Sequence, residues 1–590
     1  MDRPRAILLH KASLATWRVT ALALIGLCCQ PAAAQTWRDL IDYSKLQQRV
    51  GSTLPTGDGG VVSQVEAGTG ASGAYYVDGA AAQFNGSLDP RRDDEGVEND
   101  EDVDVDFVDG SFGAHKGISG HATNAVGARF YGDTESIAPG VNNVVLYETS
   151  HWLNSVVKYN GSLPPDAQNY RVQNHSWVGT MATGDPPPQP FIEHPNNVKV
   201  LERFDYMVET ANSGKGMTAV VGLNNSANPL PFLLSHSYNA ISVGKTDGNH
   251  SAGLTLTADA TPPDSTYGPG RSKPDIVAPL PSTSAASGAV SSAAALLYEA
   301  VDGTDASHNE VIKSLLMAGA TKNEFPSWSR TQTQPLHDTF GAGELNIYNS
   351  YLVQLGGRHA GSTAVPATTV GTYGWDYQDH KNNSSIGDIY YNFEIPEGST
   401  AEELSIVLAW NAQVTDTDPN GGFVPAVSLQ NLDLKFYDST GAFKGSMIDQ
   451  SISTVDNVEH LYFTGLAPGT YTLAVTGAAG WDFGLGWRTK TQFDQVSADF
   501  DGDGVVGGGD FLRWQLNAGA LLGATASDGD ADGDGDVDAE DLGAWKAGLI
   551  ATPLPSFVAS FGGVPEPAAG MLAAIGLLAL LARSRGRRAS

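Results

Sequence analysis

Cysteine is nearly missing from this chain. Of 590 residues only two are cysteines, Cys28 and Cys29, and they are neighbours in the first apolar stretch. That stretch reads as a secretory signal. Arg3, Arg5, Lys11 and Arg18 are basic, Val19 to Cys29 is apolar, and Ala32-Ala33-Ala34 offers small residues for cleavage before Gln35. With 1–34 removed the mature chain has no thiol, which excludes disulfides and thiol catalysis. Basic residues are scarce as well: Lys and Arg number 34 against 66 Asp and Glu, a formal net charge of −32. A nucleic-acid partner would want a basic face, so that class is excluded, and the balance suits a soluble extracellular protein that binds cations. Long apolar runs are also few. Val19–Cys29 and Ala568–Ala582 both fall short of the ~20 residues a permanent span takes.

What is present is length enough for several cores, since a single core stops growing near ~250–300 residues. Thr36 to Val50 predicts a short helix, and Val61 to Val65 predicts a buried strand ending at Glu66. Residues 93–109 are an acidic insert, open to two readings: a solvated surface or a calcium-stabilised loop. Strand-like and helix-like stretches then alternate to about residue 355, the pattern of a parallel sheet covered by helices. From 362 to 492 the runs Ile406–Trp410, Leu432–Phe436, Leu461–Phe463 and Tyr471–Val475 are strand-like and bounded by turn residues, as in an all-β sandwich.

Residues 497–550 hold two acidic repeats. Asp499, Asp501 and Asp503 precede Gly504 and Asp510; Asp530, Asp532 and Asp534 precede Gly535, Asp538 and Asp541. Oxygen ligands at positions 1, 3, 5 and 12 with a turn glycine at 6 give the calcium loop of an EF-hand. Gly507 stands at position 9 of the first loop, where the second has Asp538, so unequal calcium affinities are expected. With calcium bound, Phe511, Leu512 and Trp514 are expected to pack against Leu542 and Trp545. One helix per loop and Asp at position 12 resemble dockerin repeats, which implies a cohesin-like or other surface partner.

The richest signal is an ordered set of short segments: Gly120-His121-Ala122-Thr123-Asn124-Ala125-Val126-Gly127, then Val220-Val221-Gly222-Leu223-Asn224-Asn225, then Lys273-Pro274-Asp275-Ile276-Val277-Ala278-Pro279 followed by Ser282-Thr283-Ser284. Acyl transfer to a serine needs a base, a group that holds the base's tautomer, and donors for the oxyanion. These segments, with Asn174-His175-Ser176-Trp177, Ala240–Gly244 and Gly341–Asn346, resemble the subtilase family of serine peptidases. The resemblance implies an α/β subtilisin-like domain over 35–357, followed by a jelly-roll-like sandwich, a small α dockerin-like pair and a C-terminal hydrophobic helix. It implies His121 as general base, Ser284 as nucleophile, Asn224 (or Asn225, one residue later) as oxyanion donor, Glu66 as orienting acid, and a peptide or protein substrate.

Five positions depart from the family pattern. Glu66 stands where Asp is usual, Asn124 where a second His is usual, Ser282 where Gly precedes Thr-Ser, and Ser287-Gly288 where Thr-Pro follows. An inactive scaffold of the same fold is therefore the rival reading. No segment before Val61 is long enough for the usual inhibitory propeptide. At the other end, Val564-Pro565-Glu566-Pro567, the run Ala568–Ala582 and the cluster Arg583, Arg585, Arg587 and Arg588 resemble a PEP-CTERM sorting signal over 564–590. That implies transient inner-membrane anchoring, an exosortase-like sorting transpeptidase, and a cell-surface or secreted destination.

Overall fold

The computed structural model describes residues 36–551, apart from 71, 85–104, 113–116, 184–188, 190–191, 193, 227–229, 247–266, 268–270, 323, 442 and 494–497. The expected signal 1–34, most of the acidic insert and the sorting tail lie outside the described residues. Among the described residues no helix is long and apolar enough to cross a membrane.

Seven strands form one parallel sheet. They are β1 Val61–Glu66, β2 Asp106–Asp109, β3 Asn143–Glu148, β4 Val172–His175, β5 Thr218–Gly222, β6 Ile241–Lys245 and β7 Ile276–Ala278, in the order β2-β3-β1-β4-β5-β6-β7. The central strands β1, β4 and β5 are buried on both faces; β5 reads as a near-continuous apolar run, whereas β1 and β4 carry the buried polar residues Ser63, Gln64, Gln173, Asn174 and His175. Helices Pro195–Gly214, Thr283–Ala300, Asn309–Gly319 and Ile347–Leu355 accompany the sheet. Thr283 to Tyr298 is buried throughout, and its run of Ala, Ser and Gly lets neighbouring elements approach closely. The expected helix Thr36–Val50 is two helices, Trp37–Leu40 and Tyr43–Val50, because Asp42 between them takes the left-handed conformation (φ 59).

The second unit contains two four-stranded antiparallel sheets. β8 Tyr373–Gln378, β10 Ser399–Ala409, β15 Val458–Phe463 and β17 Phe483–Phe493 form one, in the order β15-β10-β17-β8; β9 Ile389–Ile395, β13 Asp433–Asp438, β14 Met447–Ser451 and β16 Gly469–Thr476 form the other, in the order β14-β13-β16-β9. A hairpin, β11 Gln413–Asp416 with β12 Pro425–Ser428, stands apart. The two units are not loosely tethered: Tyr373, Trp375, Tyr377, Val407, Ala409 and Val458 belong to the apolar core of the parallel-sheet unit.

Each acidic repeat ends in a helix, Gly508–Asn517 and Ala539–Ala551. The repeats lock reciprocally: Trp514 Nε1 donates to Asp538 O and Trp545 Nε1 to Gly507 O, both at 2.8 Å. Phe511 packs on Trp545, whereas Leu512 is 58% exposed. The second repeat is also fastened to the parallel-sheet unit. Arg49 reaches Asp536 at 3.0 Å, Asp538 at 2.8 Å and Ala520 O at 2.8 Å.

Candidate active site

Three elements bring their ends together at the C-terminal edge of the sheet, where open parallel sheets form their crevices. Glu66 is the last residue of β1 and is 1% exposed. His121 starts a helical run that is π-wound from His121 to Gly127 and α-helical from Ala128 to Phe130, a winding often met at functional sites. Ser284 is the second residue of its helix. Ser282 is the N-cap, and its Oγ accepts from Ala285 N at 3.2 Å, a bond that glycine at this position could not make.

Glu66 Oε2 lies 2.8 Å from His121 Nδ1, and His121 Nε2 lies 2.9 Å from Ser284 Oγ. With Nδ1–H donating to the carboxylate, Nε2 is left to accept the serine proton. The hydrogen bond to Glu66 raises the imidazole pKa above its ordinary value, against the opposing effect of burial. The histidine side chain remains 37% exposed, so a substrate has an approach.

The departures have local causes. Ser287 Oγ donates to Ser284 O at 2.9 Å and meets Ser176 Oγ at 2.7 Å, joining the helix to the segment after β4. A Cβ at Gly288 would come within 2.9 Å of Val126 O and 3.2 Å of the Arg129 Cβ, so the His121 and Ser284 helices touch there. Two polar residues not singled out in the sequence complete the site. Gln64 Nε2 donates to Glu66 Oε1 at 2.8 Å and to Ala122 O at 3.2 Å, while its Oε1 accepts from Tyr131 OH at 2.5 Å. The available signal was a glutamine two residues before the expected acid, on the same face of a buried strand.

Asn224 is buried in the loop after β5, its Oδ1 accepting from Ser226 N at 2.9 Å. Neighbouring Asn225 has its Oδ1 committed to Thr283 N at 2.8 Å, which ties this loop to the start of the Ser284 helix.

Candidate metal oxygens gather in both acidic loops. Asp499, Asp501 and Asp510 form one group within 4.8 Å, with Asp503 outside it. In the second loop Asp530, Asp532 and Asp541 form a group, Asp534 joins Asp532 and Glu540, and Asp538 joins Asp536 and Asp541. Asp536 and Glu540 were not among the expected ligands. Burial pushes the carboxyls of Asp530 and Asp536 up to about 7 and that of Asp532 up to about 6, with the Asp534 charge adding to each. Such crowding of buried carboxylates fits a hard cation.

No protein-family model matches the chain, and no curated protein does. Solved structures that align with part of it include the prenylagaramide maturation protease PagA, at 16% identity over 52% of this chain and 97% of that one, TM-score 0.33. The patellamide maturation protease PatA aligns at 18% identity over 50% and 97%, TM-score 0.31. The serine protease MycP1, an essential component of the type VII (ESX-1) secretion system, aligns at 14% identity over 54% and 90%, TM-score 0.27.

Proposed function

We propose that the chain is an exported serine endopeptidase of the subtilisin type. The observation that carries this reading is the unbroken line from Glu66 through His121 to Ser284, at 2.8 and 2.9 Å. Ser284 Oγ attacks the scissile carbonyl carbon as its proton passes to His121 Nε2. The imidazolium is held by Glu66 through Nδ1–H. The oxyanion forms at the start of the Ser284 helix, where backbone N–H groups favour negative charge, with the Asn224 side-chain amide as second donor. His121 then gives its proton to the leaving amine. Water, deprotonated by the same imidazole, releases the acyl group.

A serine-directed fluorophosphonate tests the assignment. Wild type should be labelled at Ser284 and Ser284→Ala should not. A wild type that takes no label and cleaves no peptide would favour the inactive scaffold instead.

Calcium in the acidic repeats is part of the same proposal. Asp499, Asp501, Asp503 and Asp510 would hold one ion, and Asp530, Asp532, Asp534, Asp538 and Asp541 the other. The ion would supply positive charge to loops that concentrate carboxylates. A cohesin-like or other surface partner would meet the first repeat, since Arg49 occupies Asp536 and Asp538 of the second. Export and passage through a sorting transpeptidase rest on the terminal segments of the sequence.

A further inference from the structure

We propose that Gln64 and Tyr131 are positioning residues that fix the reach of Glu66, so that an acid one methylene longer than aspartate presents a single oxygen to His121. The proposal rests on the peptidase reading above.

Gln64 and Glu66 are two apart on β1, so they emerge on the same face of the sheet. Both are buried, and a buried amide is costly unless both its ends are bonded. Here both are. The amide oxygen takes the Tyr131 hydroxyl at 2.5 Å; the amide nitrogen gives one hydrogen to Glu66 Oε1 at 2.8 Å and the other to Ala122 O at 3.2 Å. Glu66 is thereby gripped at both oxygens, Oε1 by Gln64 and Oε2 by His121. A glutamate has one more rotatable bond than an aspartate, and the second grip removes that freedom. Because Ala122 follows His121 in the chain, one side-chain amide fixes acid and base relative to each other.

Tyr131 settles which way the amide faces. Burial holds its phenol well above the ordinary tyrosine range, so the hydroxyl stays protonated and donates. The amide oxygen is drawn to it and the nitrogen is turned to the carboxylate; the reverse orientation would set oxygen against oxygen. The other titratable groups here are Tyr76 before the helical run and Glu148, which lies in register with Glu66 on β3 and accepts from His151 N at 2.8 Å.

Gln64→Leu and Tyr131→Phe test the idea through steady-state kinetics, their pH profile, and the imidazole Nδ1–H resonance of His121. Gln64→Leu should lower kcat ~10–100-fold, as expected for misplacement of a catalytic group by a fraction of an ångström to 1 Å, with KM nearly unchanged. The acidic limb of kcat/KM should move to lower pH, since the Glu66 bond that raises His121 is loosened. Tyr131→Phe should move both quantities the same way by less. Gln64→Leu should add little in a Glu66→Gln background, because residues acting as one unit are not additive. Activity within twofold of wild type, or a loss that follows thermal stability alone while the limb stays put, would overturn the proposal. Should Gln64→Leu fail to fold, Tyr131→Phe removes one oxygen atom and reads the same quantities. If wild type takes no fluorophosphonate, the peptidase reading fails. The Nδ1–H resonance still decides positioning: it should be downfield in wild type and move upfield in either variant, and an unmoved resonance overturns the proposal.

Discussion

Glu66, His121 and Ser284 are separated by 55 and 163 residues, yet they meet at hydrogen-bond distance. Oxygens of Asp530, Asp532 and Asp541 gather within 4.8 Å of one another in a single loop. The first site is made by the fold: β1 ends at Glu66, and two helices begin near His121 and Ser284 against that sheet edge. The second is made by local turns, its carboxylates bonded to backbone N–H groups a few residues away, such as Gly533 N and Gly535 N on Asp530. A site of the first kind needs only three side chains with different chemistries, each oriented by others. A site of the second kind repeats one chemistry and is left with charge repulsion that protonation or a cation relieves.

The sharpest way to break the first site is Ser284→Ala. Peptide hydrolysis should fall at least ~10³-fold while circular dichroism and melting temperature stay unchanged; residual activity near wild type would remove Ser284 from the chemistry. Glu66→Asp comes next. Although aspartate is the residue that resembles the family pattern, shortening the side chain here should cost ~100-fold in kcat, because Gln64 and His121 are placed for the longer acid. An equally active or faster Glu66→Asp would show that the site tolerates either reach.

The pH dependence should differ in sign between the sites. His121 is raised above 6.5, and only its neutral form accepts a proton, so the acidic limb of kcat/KM should lie above that value. In the second loop, burial raises Asp530 and Asp536 to about 7 in the folded state. Their contribution to folding is therefore complete below the ordinary carboxylate range and lost as pH rises towards 7. Melting in chelator should show the repeat region firmer at pH 5 than at pH 8. Calcium should reverse that order, since it binds the ionised loop. Arg49→Ala should have the smallest effect. Breaking its partly buried pairs should remove ~1–3 kcal/mol from the attachment of the second repeat, read as earlier proteolytic release of that repeat. A similar release on changing exposed Asp501 would erase the distinction between the two loops.

Much of this was legible because it is periodic or local. The run Val61–Glu66 announces a buried strand, the ordered motifs announce which ends should meet, and the spacing of Asp530 to Asp541 announces its loop. What escaped is long-range and single-residue. Gln64 looks like one more polar residue of a mixed strand until Tyr131 is placed opposite it. Nothing in Asp42 signals the left-handed turn that divides the first helix. Arg49 reads as one more surface cation, and its pairing with Asp536 crosses nearly the whole described chain. Leu512 is apolar, but the helix turns it to solvent.

At Gly288 the carbonyl of Val126 leaves no room for a methyl group. Alanine there would favour the isolated helix by up to ~1 kcal/mol. In place it would act as a wedge between the element carrying His121 and the element carrying Ser284. The working gap between His121 and Ser284 is thus gauged by a hydrogen atom one turn along the helix. At this position selection for a firmer helix and selection for a closed proton path pull in opposite directions.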